Sequence, residues 1–225
     1  MKCVFWSLLL TVPLLLPGIY SRGAEAPHNF NEWEPEISAF EKSDLTNPPP
    51  RHAILFAGSS TIKFWTTLRQ DFPGIPVINR GFGGSEICDS THFADRIIFP
   101  YAPRQIVFRA GGNDIANGKS PEQVFADYKA FVALVAKVQP DTKITYISWN
   151  PTIARWSQRD KEAELNRMIK DFSSGNRHLE YIDTADMILG ADGKPRADLL
   201  RADHLHLNAA GYKLLADRVR PHLQP

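Results

Sequence analysis

Cysteine is scarce in this sequence, and neither sign of charge is in excess. The chain of 225 residues has two cysteines, Cys3 and Cys88, and 26 lysines and arginines against 25 aspartates and glutamates, a net charge of +1. A scaffold built on several disulfides is therefore excluded, and the fold must depend on its hydrophobic core. The near-neutral charge gives no basic surface of the kind that binds nucleic acid.

Sequence motifs of several other enzyme classes are missing as well. The chain has no GxxxxGK[ST] phosphate-binding loop, no GxSxG nucleophile elbow and no HExxH zinc motif. The stretch NRGFGGSE comes near the dinucleotide-binding pattern GxGxxG, but Glu86 stands where the last glycine belongs. This loop also follows the second predicted strand and not the first, so we do not expect a dinucleotide site.

Long apolar runs are absent except at the N-terminus. Lys2 precedes an apolar stretch that ends at Leu16, and residues 24–26 read Ala-Glu-Ala, the small-x-small pattern of a cleavage site. Pro13 and Pro17 interrupt the stretch, which is short for a membrane span. We predict a signal peptide over residues 1–26, with an uncleaved anchor as the alternative. Export without disulfides suits a secreted or periplasmic protein of a bacterium.

The remaining residues, 27–225, fit one domain of about 200 residues. An N-terminal helix and a proline-rich connection over residues 27–51 precede five short apolar runs that predict buried strands. These runs lie at 53–58, 75–79, 104–110, 143–148 and 178–183. Helical patterns separate them, and the clearest, over 120–138, opens with a capping box of Ser120 and Gln123. Alternating strands and helices predict an α/β fold with a parallel sheet.

Small glycine-rich loops carrying polar groups follow the first three predicted strands. Sites in open parallel sheets gather at the carboxyl ends of the strands, so we expect these loops to meet. GSST presents Ser60, either as a nucleophile or as a helix N-cap. NRGFGGSE offers the backbone N–H of Gly84, and AGGND offers the side-chain amide of Asn113. These are donors of the kind that stabilise an oxyanion.

The stretch RADHLHLN, near the C-terminus, supplies the other parts of an acyl-transfer site. Asp203 and His206 are three residues apart, which suits an orienting carboxylate and a general base. A metal site of Asp203, His204 and His206 is the alternative, but no further histidine or cysteine motif supports it. We expect no metal and no organic cofactor.

Together the four blocks resemble those of the SGNH hydrolases, also called GDSL esterases or lipases. Residues 58–60, Gly-Ser-Ser, are similar to the family's G-D-S block, and Gly84 matches its second block. Residues 111–114, Gly-Gly-Asn-Asp, match G-x-N-D, and residues 203–206 match D-x-x-H. Two positions depart from the family pattern, namely Ser59 in place of aspartate and His204 where glycine is common.

This resemblance implies a flavodoxin-like three-layer α/β/α sandwich with a five-stranded parallel sheet. It implies Ser60 as nucleophile, His206 as base and Asp203 as orienter, with an oxyanion hole formed by Ser60, Gly84 and Asn113. The implied activity is that of a secreted serine esterase that hydrolyses short-chain acyl esters, O-acetylated carbohydrate among them, through an acyl-enzyme. The partner is a small or polymer-linked ester, with no nucleic acid and no stable membrane span after signal removal.

Two alternatives to this activity stay open. The first is a lysophospholipase, or a lipase-like or thioesterase-like hydrolase, since the family includes such activities. The second, from another class, is a secreted binding module that has lost catalysis on the same fold.

Three residues are candidates for substrate binding. Arg80, beside the second block, has the donors to bind a carboxylate, phosphate or sugar hydroxyl, although a structural ion pair is the alternative. Trp149 and Arg155 belong to the loop SWNPTIARWS after the fourth predicted strand. Binding residues favour loops on rigid scaffolds, which makes this loop a candidate substrate contact.

Overall fold

The structure, a computed structural model, describes residues 28–224. The predicted signal peptide, residues 1–26, lies outside the described residues. Within the described part, five parallel strands form one sheet in the order β2-β1-β3-β4-β5. The strands are β1 (Ile54–Gly58), β2 (Val77–Gly81), β3 (Gln105–Arg109), β4 (Lys143–Ile147) and β5 (Leu179–Ile182).

Helices join the strands and cover both faces of the sheet. In residues 28–224 the α-helices are α1 (Glu34–Thr46), α2 (Ser60–Lys63), α3 (Leu68–Asp71), α4 (Ile87–His92), α5 (Ala94–Ile97), α6 (Gly112–Ala116), α7 (Pro121–Val138), α8 (Arg159–Ser173) and α9 (Ala209–Val219). Among these described helices, none is both long enough and apolar enough to cross a bilayer.

Alternate residues of each strand enter two separate cores. In β1, Leu55 packs into a cluster that contains Phe131 of α7, and Phe56 packs into a cluster that contains Leu215 of α9. Every residue of β1 and of β3 is buried. Strands of this kind are mostly apolar because helices cover both faces of a parallel sheet, although the two end residues of β3 are polar. The predicted three-layer α/β/α sandwich with five parallel strands is confirmed.

The element boundaries follow local signals that the sequence carries. Helix α7 starts after Ser120, whose Oγ accepts from the Gln123 N–H at 3.3 Å while Gln123 Oε1 accepts from the Ser120 N–H at 2.8 Å. Helix α9 starts after Asn208, whose Oδ1 accepts from two backbone N–H groups of the first turn. The helical pattern predicted over 120–138 ends at Val138, which is also the last residue of α7 and is 45% exposed.

The sheet order places one crevice at the carboxyl ends of β1 and β3. Strand β1 pairs with the edge strand β2 on one side and with the central strand β3 on the other, so that Gly58 lies opposite both Gly81 and Arg109. The chain moves outward from β1 to β2, then returns across β1 to β3. Such a reversal of strand order is where open α/β sheets bind ligands. The loops that carry Ser60, Gly84 and Asn113 follow these three strands.

Candidate active site

Ser60 stands at the sharp junction between β1 and α2. Gly58 has a φ of +129°, and a Cβ at this position would lie 2.0 Å from the carbonyl oxygen of Arg109. Only glycine allows the backbone at residue 58 to come this close to β3. The Ser59 N–H donates to the same Arg109 oxygen at 3.0 Å. Ser59 occupies the N-cap position and Ser60 is the first helical residue. Ser60 is therefore not the N-cap, and its hydroxyl is available for another role.

Ser60, His206 and Asp203 form a continuous hydrogen-bonded row. Ser60 Oγ lies 3.0 Å from His206 Nε2, and His206 Nδ1 lies 2.8 Å from Asp203 Oδ2. The other carboxylate oxygen of Asp203 accepts from the backbone N–H groups of Leu205 and His206, each at 2.9 Å. The bond to the His206 ring, then that to the His206 N–H, holds the pKa of Asp203 well below its usual range. An ionised Asp203 requires the proton on Nδ1, which leaves Nε2 to accept from the Ser60 hydroxyl.

Phe64 and Arg201 pack beside the histidine. The Phe64 ring meets the His206 ring edge to face with centroids 4.9 Å apart, and the Arg201 guanidinium lies 4.7 Å from the Phe64 centroid. The backbone N–H of Arg201 also donates to the backbone carbonyl of His206 at 2.7 Å. These contacts restrict the His206 ring to the orientation that faces Ser60. Phe64 was not among the site residues predicted from the sequence, although its position four residues after Ser60 was an available signal.

The geometry of residues 203–206 favours a proton-transfer role over a metal site. Both ring nitrogens of His206 already have partners, whereas His204 is exposed and has a φ of +56°. Glycine adopts this conformation without strain, which explains why a glycine suits this position in related sequences. The His204 carbonyl accepts from the Ala154 N–H at 3.1 Å, so this turn contacts the loop after β4.

Three donors of the predicted oxyanion hole lie on the loops after β1, β2 and β3. Ser60 is the first residue of its helix, so its N–H has no acceptor within the helix. Gly84 has a φ of +86°, and a Cβ there would lie 2.8 Å from the ring of Trp33. The Asn113 side chain is 8% exposed and its Nδ2 donates to the Ser85 carbonyl at 3.0 Å. That bond ties the Gly84 loop to the start of α6.

A comparison with known protein families identifies the family of this chain. Residues 51–214 match the model of the GDSL-like Lipase/Acylhydrolase family. The chain belongs to this family. It is a hydrolase that acts on ester bonds, and the residues matched include all four blocks of the site.

Individual relatives agree with this family and fold. The platelet-activating factor acetylhydrolase IB subunit alpha1 of Rattus norvegicus is 26% identical over 169 residues, which cover 71% of this chain and 69% of that protein. A candidate platelet activating factor from Streptococcus pneumonia superposes with a TM-score of 0.76 at 21% identity, covering 86% of this chain and 94% of that one. A catalytic mutant of an acetylxylan esterase from Geobacillus stearothermophilus gives a TM-score of 0.60 at 17% identity, covering 76% and 94%.

Arg80 does not reach the GDSL-type site. It is 7% exposed, and its guanidinium donates to Asp44 at 2.6 Å, to the Tyr101 hydroxyl at 3.0 Å and to the Asn79 carbonyl at 2.8 Å. Every nitrogen of the guanidinium is thus engaged within the fold. The prediction of a substrate-binding Arg80 is corrected to a buried structural ion pair between β2 and α1.

Trp149 is a buried residue that packs behind the site and is not exposed to substrate. It is 7% exposed, and its indole N–H donates to the Ala110 carbonyl at 3.0 Å. A Cβ at Gly112 would lie 2.7 Å from its ring. Trp149 therefore packs against the first turn of α6, which carries Asn113, and the predicted substrate contact is corrected to a packing role.

Arg155 is the one predicted substrate-binding residue that lies at the site. Its Nη2 donates to Asn113 Oδ1 at 2.9 Å, and the side chain is half-buried. It comes from the loop after β4, as expected, but its protein partner is the amide of the predicted oxyanion hole.

A buried carboxylate lies behind this loop. Glu162, in the first turn of α8, is 3% exposed, and its Oε2 has no protein partner. Burial raises the pKa of Glu162 to about 7, while the charges of Arg155 and Arg109 oppose the rise. Burial also lowers the pKa of Arg109 to about 10. Glu162 is thus held closer to its neutral form than an exposed glutamate.

Glu162 should make the stability of the protein depend on pH. Its folded pKa of about 7 exceeds the ordinary 4.5, so the folded state retains a proton that the unfolded state releases. Its stabilising contribution is complete below pH 4.5 and is lost as the pH rises through 7. The Glu162→Gln variant removes this loss, so its stability relative to wild type should rise by about 3 kcal/mol between pH 4.5 and 8.

Urea denaturation of both proteins at pH 5 and pH 8 measures this difference. Glu164→Gln is the matched control, because Glu164 lies on the same helix, is half-exposed, and pairs with Arg167. Its effect should be nearly the same at both pH values. Equal effects of Glu162→Gln at the two pH values would contradict the assignment.

One cluster in the described residues has donors suited to a metal. Three potential ligand atoms, one each from His28, Cys88 and Asp89, lie within 4.8 Å of one another. His28 Nε2 is already 2.7 Å from Asp89, and the Lys119 ammonium lies 4.0 Å from the Cys88 sulfur. Burial raises the pKa of the Cys88 thiol to about 12. A neighbouring cation and a protonated thiol disfavour a metal there.

Proposed function

We propose that this chain is a secreted serine esterase that removes short acyl groups through an acyl-enzyme. The row of Ser60, His206 and Asp203, with contacts of 3.0 and 2.8 Å, carries the proposal. Nucleophile, base and orienter come from two segments more than 140 residues apart in the chain. Because the three residues meet in the crevice at the carboxyl ends of the strands, they are placed to carry out acyl transfer. Secretion is proposed from the N-terminal sequence alone.

In the first step, Ser60 Oγ attacks the ester carbonyl carbon while His206 Nε2 takes the hydroxyl proton. The carbonyl oxygen becomes an oxyanion, which the N–H groups of Ser60 and Gly84 and the amide of Asn113 stabilise. Asp203 stabilises the imidazolium, since its low pKa keeps it ionised.

The tetrahedral intermediate then expels the alcohol. His206 gives its proton to the leaving oxygen, the C–O bond breaks, and the acyl group stays on Ser60. Water attacks this acyl-enzyme while His206 takes a proton from it, and the acid leaves as the Ser60 hydroxyl is restored.

The names of the relatives support a short acyl group. The rat relative is an acetylhydrolase and the Geobacillus protein is an acetylxylan esterase, so both are named for removing acetyl. An acetyl ester is therefore the first substrate to test for this chain.

A groove beside the proposed site supports carbohydrate as the alcohol. A groove of about 680 Å³ begins at Phe64 and Arg201, the two residues that pack beside His206. Its lining combines polar side chains, which include Gln70, Lys213 and Asp217, with about as much apolar surface. Because His206 protonates the leaving oxygen, the alcohol must lie on the His206 side of the site. A sugar, which carries both hydroxyl groups and apolar ring faces, suits such a mixed lining better than a long alkyl chain does.

A series of nitrophenyl esters tests the acyl preference. We expect kcat/KM to be highest for the acetyl or butyryl ester and to fall steadily for longer chains, with Ser60→Ala giving the background rate. Acetylated oligosaccharides should then release acetate faster than lysophospholipids release fatty acid. A maximum at long acyl chains would overturn this preference and favour the lysophospholipase.

A further inference from the structure

We propose that Arg155 is a positioning residue for ester hydrolysis, which holds the Asn113 amide with its N–H₂ group toward the oxyanion. The inference rests on the proposed function, in which Asn113 is an oxyanion donor. Arg155 reaches Asn113 from a different loop, 42 residues along the chain.

The chemistry of the two partners allows only one orientation of the amide. An asparagine side chain has an acceptor end and a donor end that are nearly equal in shape, so packing alone hardly distinguishes them. Arg155 can only donate, and its Nη2 lies 2.9 Å from Asn113 Oδ1. The Ser85 carbonyl can only accept, and it lies 3.0 Å from Asn113 Nδ2. A reversed amide would set two donors against each other and two acceptors against each other.

This orientation leaves one amide hydrogen for the reaction. The Asn113 nitrogen carries two hydrogens, and the Ser85 carbonyl takes one. The second is then available to an oxyanion bound at Ser60. A cation on the amide oxygen also polarises the amide and strengthens its N–H groups as donors.

The loop that carries Arg155 is itself fixed on both sides. Asn150, near its start, accepts from the buried Arg109 at 2.7 Å, and the Ala154 N–H donates to the His204 carbonyl at 3.1 Å. In the chain, His204 lies between Asp203 and His206, the proposed orienter and base. The loop therefore contacts both the turn of the proposed base and, through Arg155, the proposed oxyanion donor Asn113. Its backbone is held at both ends, which limits the movement of Arg155.

A direct contact with an anionic substrate is the competing role for this half-buried arginine. The two roles give different kinetic results when the ester is neutral. Loss of a positioning residue weakens the transition state and lowers kcat, whereas loss of an arginine that binds only an anionic group leaves both kcat and KM unchanged for a neutral ester. A neutral acetyl ester therefore separates them.

A double-mutant cycle between Arg155 and Asn113 tests the proposal. With nitrophenyl acetate, Arg155→Met should lower kcat about tenfold with KM nearly unchanged, and Arg155→Lys should recover part of the loss. In an Asn113→Ala background, Arg155→Met should change kcat less than about twofold, because the group it positions is gone. Arg159→Met is the matched control, since the Arg159 guanidinium packs on Trp156, and it should retain wild-type kcat.

Other outcomes would overturn the proposal in distinct ways. If the Arg155 and Asn113 effects multiply, Arg155 acts on another group. If Arg155→Met keeps wild-type kcat and KM, Arg155 does not position the amide, and contact with an anionic substrate is its remaining role. Thermal unfolding of each variant identifies loss of fold, and if Arg155→Met is unfolded, the same cycle is run with Arg155→Lys. A folded wild type that cleaves no ester would refute the proposed function itself.

Discussion

Replacing Ser60 with alanine should abolish ester cleavage and leave the fold intact. Removal of a serine nucleophile that works with a histidine base lowers kcat by about 10⁵ to 10⁶. The hydroxyl bonds only to the His206 ring among the described side chains, and the serine is partly exposed. Its loss should therefore cost only about 1 kcal/mol of stability.

Turnover of nitrophenyl acetate and covalent labelling with a fluorophosphonate measure this effect. The label should map to Ser60 in the wild type and be absent from Ser60→Ala. Ser59→Ala is the matched control, because the Ser59 hydroxyl is buried without a protein partner and its removal breaks no hydrogen bond. It should keep near wild-type activity. An inactive Ser59→Ala beside an active Ser60→Ala would show that the nucleophile is Ser59, and a folded wild type that takes no label would favour the binding module.

Replacing Asn113 with alanine should lower kcat by about 10² to 10³, the usual cost of one oxyanion-hole donor. The amide N–H is aimed at charge that develops only in the transition state, so KM should change little. The variant also leaves the Ser85 carbonyl and Arg155 without their partner. We expect stability to fall by about 1 to 3 kcal/mol, so the kinetics are to be measured well below the unfolding temperature.

Asn117→Ala is the control for this second prediction. Asn117 follows at the end of the same helix, and its side chain donates to Glu86 at 2.7 Å, so its loss costs stability without removing an oxyanion donor. We expect kcat to stay within about threefold of wild type. A wild-type kcat in Asn113→Ala would place the oxyanion donors elsewhere.

The strands and the principal site residues were predictable from sequence for one physical reason. A strand buried on both faces is mostly apolar, so β1 and the middle three residues of β3 stand out as short apolar runs. Parallel strands bring their carboxyl ends to one edge, so the polar residues that follow them are expected together. Ser60 and His206 illustrate this, since they meet at 3.0 Å although 146 positions separate them.

The roles of Arg80 and Trp149 were not predictable, because their partners lie far away in the chain. Arg80 looks free in the sequence beside a glycine-rich loop, but Asp44 of α1 neutralises it. Trp149 looks like a pocket aromatic, but Gly112 leaves room for its ring under α6. Nothing local in either stretch distinguishes a buried contact from an exposed one.

The sequence by itself therefore determined the fold class, the four loops of the site and the candidate nucleophile, base and orienter. These follow from periodicity, glycine positions and chemical type, which are local properties. Only the tertiary structure decided which arginine meets the site, which tryptophan is buried, and that Arg155 contacts the Asn113 amide. Such choices depend on side-chain direction and on partners tens of residues away, which packing sets and no short stretch of sequence encodes.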